Sequence, residues 1–176
     1  MNLKFLSVLV LMLSTFSLNA AEETKNAIEL SKLPPFEWPS LAEGAKGSDG
    51  KVTSNDLQKD SRVLQFWASW CTTCGKTMID LHQFVKSNCP SSTKFMTVNV
   101  DETIDTARAY FKHQTPEAQK LIFASYFDKE GAIAEKLLVK AIPTTLFIRN
   151  SHVILSFSAH PTEDQLNQIR SECQKP

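Results

Sequence analysis

The feature that most constrains the fold is a pair of cysteines, Cys71 and Cys74, standing between two different apolar patterns. Residues 63–67 form a dense apolar and aromatic run of the length of a buried central strand. After the cysteines, apolar residues recur at spacings of three and four, as on one face of an amphipathic helix: Met78, Leu81, Val85 and Cys89. The pattern predicts a strand that passes into a helix, which begins at the first cysteine and ends near residues 88–90.

The later segments continue the alternation of strands and helices. Strands are predicted at residues 95–100, 142–148 and 153–157, helices at 104–112 and 132–138, and a last helix after the capping-box pair Thr162 and Gln165. The order is then strand, helix, strand, helix, strand, strand, helix, with an insertion in the middle that carries a further apolar run at 121–127. This order favours a single α/β domain.

The first 20 residues are typical of a signal peptide, with Lys4 as the positive charge, an apolar stretch, and small residues up to Ala20 and Ala21. The apolar stretch is shorter than the roughly 20 residues of a membrane span. We therefore expect a periplasmic or otherwise exported protein, or one tethered to a membrane if the signal stays uncleaved. Residues 21–32 are predicted to be a polar leader, and residues 33–176 the folded domain.

The charge and the cysteine content of the chain argue against some classes of function and favour others. The chain carries 19 basic and 19 acidic residues, so electrostatics give no case for binding nucleic acid or an anionic membrane. An exported chain can keep disulfides, and its four cysteines are an even set. Because the chain exceeds the size at which disulfides become necessary for folding, some of the cysteines are expected to serve chemistry.

Cys71 and Cys74 have the spacing of a redox dithiol. Residues three apart at a helix start have Cβ atoms about 5–6 Å apart, close enough for a disulfide after a small adjustment. The positive end of the helix favours the thiolate at Cys71, which is expected to attack, while Cys74 resolves the resulting mixed disulfide. Trp70 is expected to shield the site.

A structural disulfide and half of a metal site are the alternatives for this pair. A zinc ion would need further ligands, and His82 and Cys89 are the candidates. However, the apolar face of the same helix indicates that this segment packs in the core. We therefore expect neither a metal nor another cofactor.

Three segments together resemble the thioredoxin-like proteins of the TlpA and ResA type. They are Phe66-Trp67-Ala68-Ser69-Trp70-Cys71-Thr72-Thr73-Cys74, the turn at 128–131, and Ile142-Pro143-Thr144-Thr145-Leu146-Phe147. A lead-in with Pro35-Phe36 and Asp49-Gly50-Lys51 is also typical of that group, and the resemblance covers about residues 33–174. It implies a thioredoxin-like α/β fold, with a central mixed sheet flanked by helices, an N-terminal extension and a central insertion from about 103 to 129. It also implies a thiol:disulfide oxidoreductase.

The resemblance assigns further roles around the dithiol. It implies that Pro143 is cis and that the backbone of Ile142 binds the substrate chain, next to Trp70. Many reductases of this type carry a glutamate where this chain has Thr77, and thioredoxins carry a buried aspartate where it has Gln65. The usual carboxylates are thus absent, which leaves water, a backbone group or another side chain to take the proton from the resolving cysteine.

The other two cysteines fall on apolar helix faces near helix ends. In a thioredoxin-like sheet their helices cover the same face and run the same way, so Cys89 and Cys173 are expected to form a structural disulfide at the pole opposite Cys71. Two buried free thiols are the alternative.

The leading hypothesis is a monomeric reductase that passes electrons from a membrane thiol donor to oxidised protein thiols. An oxidase or isomerase is the nearest alternative. A peroxidase is another, although the Pro-x-x-x-Thr-x-x-Cys signature is absent. A copper-binding chaperone of the Sco type would need a wider cysteine spacing and a later histidine. We expect His152 and His160 to be solvated hairpin and loop residues.

Overall fold

The computed structural model describes residues 28–45 and 50–175. The predicted signal peptide, most of the leader, and Asp49 of the Asp49-Gly50 turn lie outside these residues. Within the described part of the chain, no helix is long and apolar enough to cross a membrane.

The core of the fold is a five-stranded mixed sheet, whose strands are β3 (Arg62–Trp67), β4 (Lys94–Asn99), β5 (Ser125–Phe127), β6 (Thr144–Arg149) and β7 (His152–Ser158). Their order in the sheet is β5-β4-β3-β6-β7. Parallel pairing joins β3 to β4 and β4 to β5, whereas β6 is antiparallel to both β3 and β7. The central strand β3 is buried at every position, as the apolar run predicted. The expected thioredoxin-like arrangement is confirmed.

Helices cover the sheet on both faces. They are α1 (Ser54–Leu57), α2 (Cys74–Asn88), α3 (Ile104–Lys112), α4 (Pro116–Gln119), α5 (Ala132–Lys136) and α6 (Glu163–Cys173). Val63 of β3 packs with Leu81 of α2 and Ile169 of α6, while its neighbour Leu64 packs with α5 on the other face. Successive strand residues point to opposite faces, so β3 contributes to both layers of core.

Helix α2 begins at Cys74 and not at Cys71, which corrects the prediction from the sequence. Cys71 instead lies in a turn, where its N–H donates to Ala68 O at 3.1 Å and its carbonyl accepts from Cys74 N at 3.3 Å. Thr73 is the N-cap residue, so the first cysteine precedes the helix and the second opens it. The predicted end of the helix, near Asn88, is confirmed.

The central insertion consists of short elements. It holds α3, α4, the 3₁₀ helix Lys120–Ala124 and β5, so the apolar run at 121–127 divides into a helical turn and an edge strand. Thr103 and Thr115 cap α3 and α4, and Pro116 occupies the first turn of α4, where its missing N–H costs nothing. This insertion stands beside the start of α2.

The end of the expected leader contacts the domain from Ile28 onwards. Val153 N donates to Ile28 O at 2.9 Å, and Leu30 N donates to Ser151 O at 2.7 Å. The 3₁₀ helix Leu30–Lys32 follows, and Leu30 is only 1 % exposed. A short hairpin of β1 (Glu37–Pro39) and β2 (Lys51–Thr53) completes the N-terminal part. Ile28 and Leu30 thus satisfy backbone groups at the edge of the sheet.

Candidate redox site

Cys71 and Cys74 form a disulfide at the junction of β3 and α2. Their sulfurs are 2.17 Å apart and their Cα atoms 5.5 Å apart. Cys71 keeps 7 % of its surface accessible, whereas Cys74 has none. A partner molecule can therefore reach only the first sulfur without rearrangement of the chain. This asymmetry suits an attacking Cys71 and a resolving Cys74.

The first turn of α2 provides the electrostatic environment of the pair. Its unpaired N–H groups and positive dipole end favour a thiolate just before the helix once the disulfide is reduced. The hydroxyl of Thr73 lies 3.8 Å from Cys71 Sγ, where it can donate a weak hydrogen bond to sulfur. Lys76, in the same turn, pairs with Asp80 one turn later.

The segment that leads into Cys71 is held by Asp101, at the end of β4. Both carboxylate oxygens of Asp101 lie 3.1 Å from the N–H of Ser69. Asn99 donates its side-chain amide to the same carboxylate at 2.9 Å, and Asp101 is only 5 % exposed. The position of Trp70, which is 70 % exposed, follows from this anchored loop.

The segment before β6 lies against the dithiol. The peptide bond between Ile142 and Pro143 is cis. Ile142 packs against the apolar cluster that contains Cys71 and Cys74. The carbonyl of Pro143 accepts the N–H of Ala159 at 2.8 Å, which ties this segment to the loop after β7. The structure thus brings together both cysteines and Ile142, with Trp70 exposed at the edge.

The two positions that lack the usual carboxylates are fully buried. Gln65 donates its side-chain amide to the carbonyl of Cys74 at 3.3 Å, and its side-chain oxygen has no hydrogen-bond partner among the described residues. Thr77 donates its hydroxyl to the carbonyl of Thr73 at 3.1 Å. Neither position carries an ionisable group next to Cys74.

His160 is a residue of this region that sequence reasoning missed. Its Nδ1 lies 3.1 Å from the hydroxyl oxygen of Thr77, and its Nε2 lies 3.6 Å from Asp80. The expectation of a solvated loop residue is therefore wrong in one respect, because the half-exposed ring is bound to α2. The one signal in the sequence for this contact is the position of His160, just after the second strand of the predicted hairpin.

A groove of about 580 Å³ opens beside Cys71 and is bounded by α2 and the insertion. Tyr110 and Gln114 line its far wall. The Tyr110 ring lies 4.8 Å from that of Trp67, and burial raises the pKa of the Tyr110 hydroxyl. That hydroxyl remains a hydrogen-bond donor in the groove at neutral pH.

Cys89 and Cys173 form a second disulfide at the opposite pole. Their Cα atoms are 5.5 Å apart, at the C-terminal ends of α2 and α6. His82, considered above as a zinc ligand, lies beside the Phe95 ring at 5.6 Å, and burial lowers its pKa. Among the residues that the structure describes, no group of three or more His, Cys, Asp or Glu side chains could hold a metal ion.

Comparisons with known proteins identify the family and relatives of this chain. The sequence profile of the AhpC/TSA family matches residues 30–156. The chain is 25 % identical over 131 residues to sporulation thiol-disulfide oxidoreductase A of Bacillus subtilis. The aligned segment covers 72 % of this chain and 76 % of that protein. It is 24 % identical over 119 residues to thiol-disulfide oxidoreductase ResA of Bacillus thuringiensis. That alignment covers 67 % of this chain and 66 % of the ResA chain.

A solved structure supports the fold described above. A candidate thiol:disulfide interchange protein DsbE from Chlorobium tepidum superposes with a TM-score of 0.59 at 27 % identity, over 80 % of this chain and 93 % of that one. The fold is thioredoxin-like.

Proposed function

This chain belongs to the AhpC/TSA family, and on that premise we propose that it is an exported thiol:disulfide oxidoreductase that reduces protein disulfides through Cys71 and Cys74. The observation that carries the proposal is the asymmetric disulfide at the start of α2, with Cys71 partly accessible and Cys74 fully buried. Relatives of two kinds, sporulation thiol-disulfide oxidoreductase A and ResA, support the reaction class.

The proposed cycle begins with the reduced dithiol. The Cys71 thiolate attacks one sulfur of the substrate disulfide, that S–S bond breaks, and the departing substrate thiolate takes up a proton. Cys74 then loses its proton and attacks the Cys71 sulfur, which forms the Cys71–Cys74 disulfide and releases the second substrate thiol. In each turn two electrons pass from the dithiol to the substrate. Of the two protons that the substrate thiols take up, one is the proton that Cys74 loses and the other comes from solvent, which received it when Cys71 became a thiolate.

The substrate chain is proposed to lie between Trp70 and the segment Ile142–Pro143. Ile142 packs against the cysteine cluster, and its backbone would bind an extended substrate segment as an added strand. A membrane thiol donor would then reduce the Cys71–Cys74 disulfide and complete the cycle. Export is inferred from residues 1–20, and the protein is proposed to act as a monomer.

The direction of electron flow is tested by a redox equilibrium. The purified exported chain is equilibrated in glutathione buffers, and the state of the dithiol is followed by tryptophan fluorescence and by mass spectrometry after alkylation. A reductase predicts a potential below that of the glutathione couple, near that of thioredoxin at about −270 mV. A potential near about −120 mV, that of a strong oxidant, would overturn the reductase assignment and favour an oxidase.

Turnover is tested in parallel with insulin and with hydrogen peroxide as oxidants, using dithiothreitol as electron donor. We expect reduction of insulin disulfides that is lost in Cys71→Ser. The matched control is the double variant Cys89→Ala/Cys173→Ala, which should keep the activity because those residues lie at the other pole. Peroxide turnover that exceeds insulin reduction would favour a peroxidase.

A further inference from the structure

Thr77 links the helix of the dithiol to a histidine 83 residues away. The Thr77 side chain is fully buried, and its oxygen lies 3.1 Å from Thr73 O and 3.1 Å from His160 Nδ1. Nothing in the disulfide exchange proposed above uses this contact.

The hydrogen-bond directions follow from the number of protons. The Thr73 carbonyl only accepts, so the single Thr77 hydroxyl proton is donated to it. His160 must then donate from Nδ1 to Thr77, which leaves Nε2 as the site where the neutral ring gains a proton. Nε2 faces the Asp80 carboxylate at 3.6 Å. The ring can therefore become charged without losing its bond to Thr77.

The loop that carries His160 also binds the segment that contains Pro143. His160 follows Ala159, which adopts a left-handed conformation with φ of 69° and donates its N–H to the carbonyl of Pro143. This conformation turns the chain so that the next residue meets α2. His160 thus connects the Pro143 segment with the helix that opens at Cys74.

His160 contacts a charged pair on α2. In the described part of the chain, its ring pairs with Asp80 of α2, and Asp80 is shared with Lys76. Cys71, whose thiolate forms in the reduced dithiol, stands six residues before Thr77, in the turn that precedes α2. Thr73, whose carbonyl accepts from Thr77, also places its hydroxyl near Cys71 Sγ. Histidine is the side chain that ordinarily changes its charge between pH 5 and 8.

We propose that His160 is a positioning residue for the dithiol, which holds the first turn of α2 through Thr77 and, when protonated, stabilises the Cys71 thiolate by its charge. The proposal rests on the reductase function proposed above, because it assigns the pH response of that same site.

The test measures the Cys71 thiolate directly and needs no substrate protein. The reduced full chain is alkylated with iodoacetamide between pH 5 and 8, and modification of Cys71 is followed by peptide mass spectrometry. His160→Gln keeps a hydrogen-bond donor but no charge. We expect alkylation of Cys71 at pH 6 to fall about threefold, because the positive charge that favours the thiolate is lost. His160→Lys restores a charge and should restore the rate at pH 6.

The matched control is His152→Gln, a hairpin histidine whose Nδ1 lies 2.7 Å from Asn150 O. In this variant Cys71 should be alkylated at the same rate as in the unaltered chain. The proposal is overturned if His160→Gln matches this control at pH 6, or if folded His160→Lys, checked by circular dichroism, fails to restore the rate. If His160→Gln lowers the alkylation rate as expected but the unaltered chain does not reduce insulin, only the proposed function is contradicted.

Discussion

The carboxylate of Asp101 accepts the backbone N–H of Ser69, and both of its oxygens lie 3.1 Å from that nitrogen. Ser69 stands two residues before Cys71, and Asp101 stands two residues after the end of the neighbouring strand β4. The contact therefore fixes the loop that delivers the attacking cysteine to the end of the sheet.

Replacing this carboxylate should loosen the loop. Asp101→Ala leaves the Ser69 N–H and the Asn99 amide without their acceptor, and each buried group left unpaired costs roughly 1–3 kcal/mol. We expect a lower free energy of unfolding in urea and slower insulin reduction. Glu102→Ala, which removes the neighbouring exposed carboxylate, is the control and should change neither. Equal behaviour of the two variants would contradict the anchoring role of Asp101.

Gly75 and Tyr110 are predicted to be coupled. The Tyr110 hydroxyl lies 2.5 Å from the position that a Cβ on residue 75 would take, and the ring is packed against Trp67. Gly75→Ala should therefore destabilise the fold by about 1 kcal/mol through overpacking, despite the better helix propensity of alanine. In a Tyr110→Phe background the same change should be neutral or stabilising. Additive effects in urea unfolding would show that the two residues do not interfere.

The disulfide between Cys89 and Cys173 is predicted to stabilise the fold without taking part in exchange. It joins residues 84 apart, and closing such a loop contributes about 4 kcal/mol in the chain-entropy model. The double variant Cys89→Ala/Cys173→Ala should lose most of this free energy in urea unfolding and keep the redox potential of the other pair. A loss below about 1 kcal/mol, or a changed potential, would contradict the separation of roles.

Asp56 should make the stability of the fold depend on pH in acid. Its pKa is lowered from 3.8 to about 2, first because the Thr53 hydroxyl donates to its carboxylate and then because Lys59 does. The folded state thus favours the charged form, so this stabilisation is present above pH 4 and is lost as pH falls towards 2. Asp56→Ala should cost about 1 kcal/mol at pH 7 and progressively less below pH 4. A difference that stays constant down to pH 2 would contradict this origin.

Local sequence patterns predicted those parts of the fold that depend on neighbours in the chain. The apolar run at 63–67 is the buried central strand, and the capping box of Thr162 and Gln165 starts the last helix as expected. The amphipathic pattern predicts a start of α2 three residues before the observed one, because it does not distinguish a helix from the turn that precedes it.

Contacts between distant segments could not be predicted in this way. The bond between Thr77 and His160 joins a helix to a loop after the last strand, and that between Ser69 and Asp101 joins two strand ends. Burial of Leu30 likewise depends on where the sheet leaves an open edge. A histidine or an aspartate in a loop has the same appearance in the sequence whether it is solvated or holds the site.

The central claim, that Cys71 attacks and Cys74 resolves, is tested most directly by trapping. Reduced Cys74→Ser and Cys71→Ser are each mixed with glutathione disulfide, and the covalent products are mapped by peptide mass spectrometry. The account predicts a stable mixed disulfide on Cys71 in the first variant and almost none on the buried Cys74 in the second. Equal or stronger trapping on Cys74 in Cys71→Ser would contradict it.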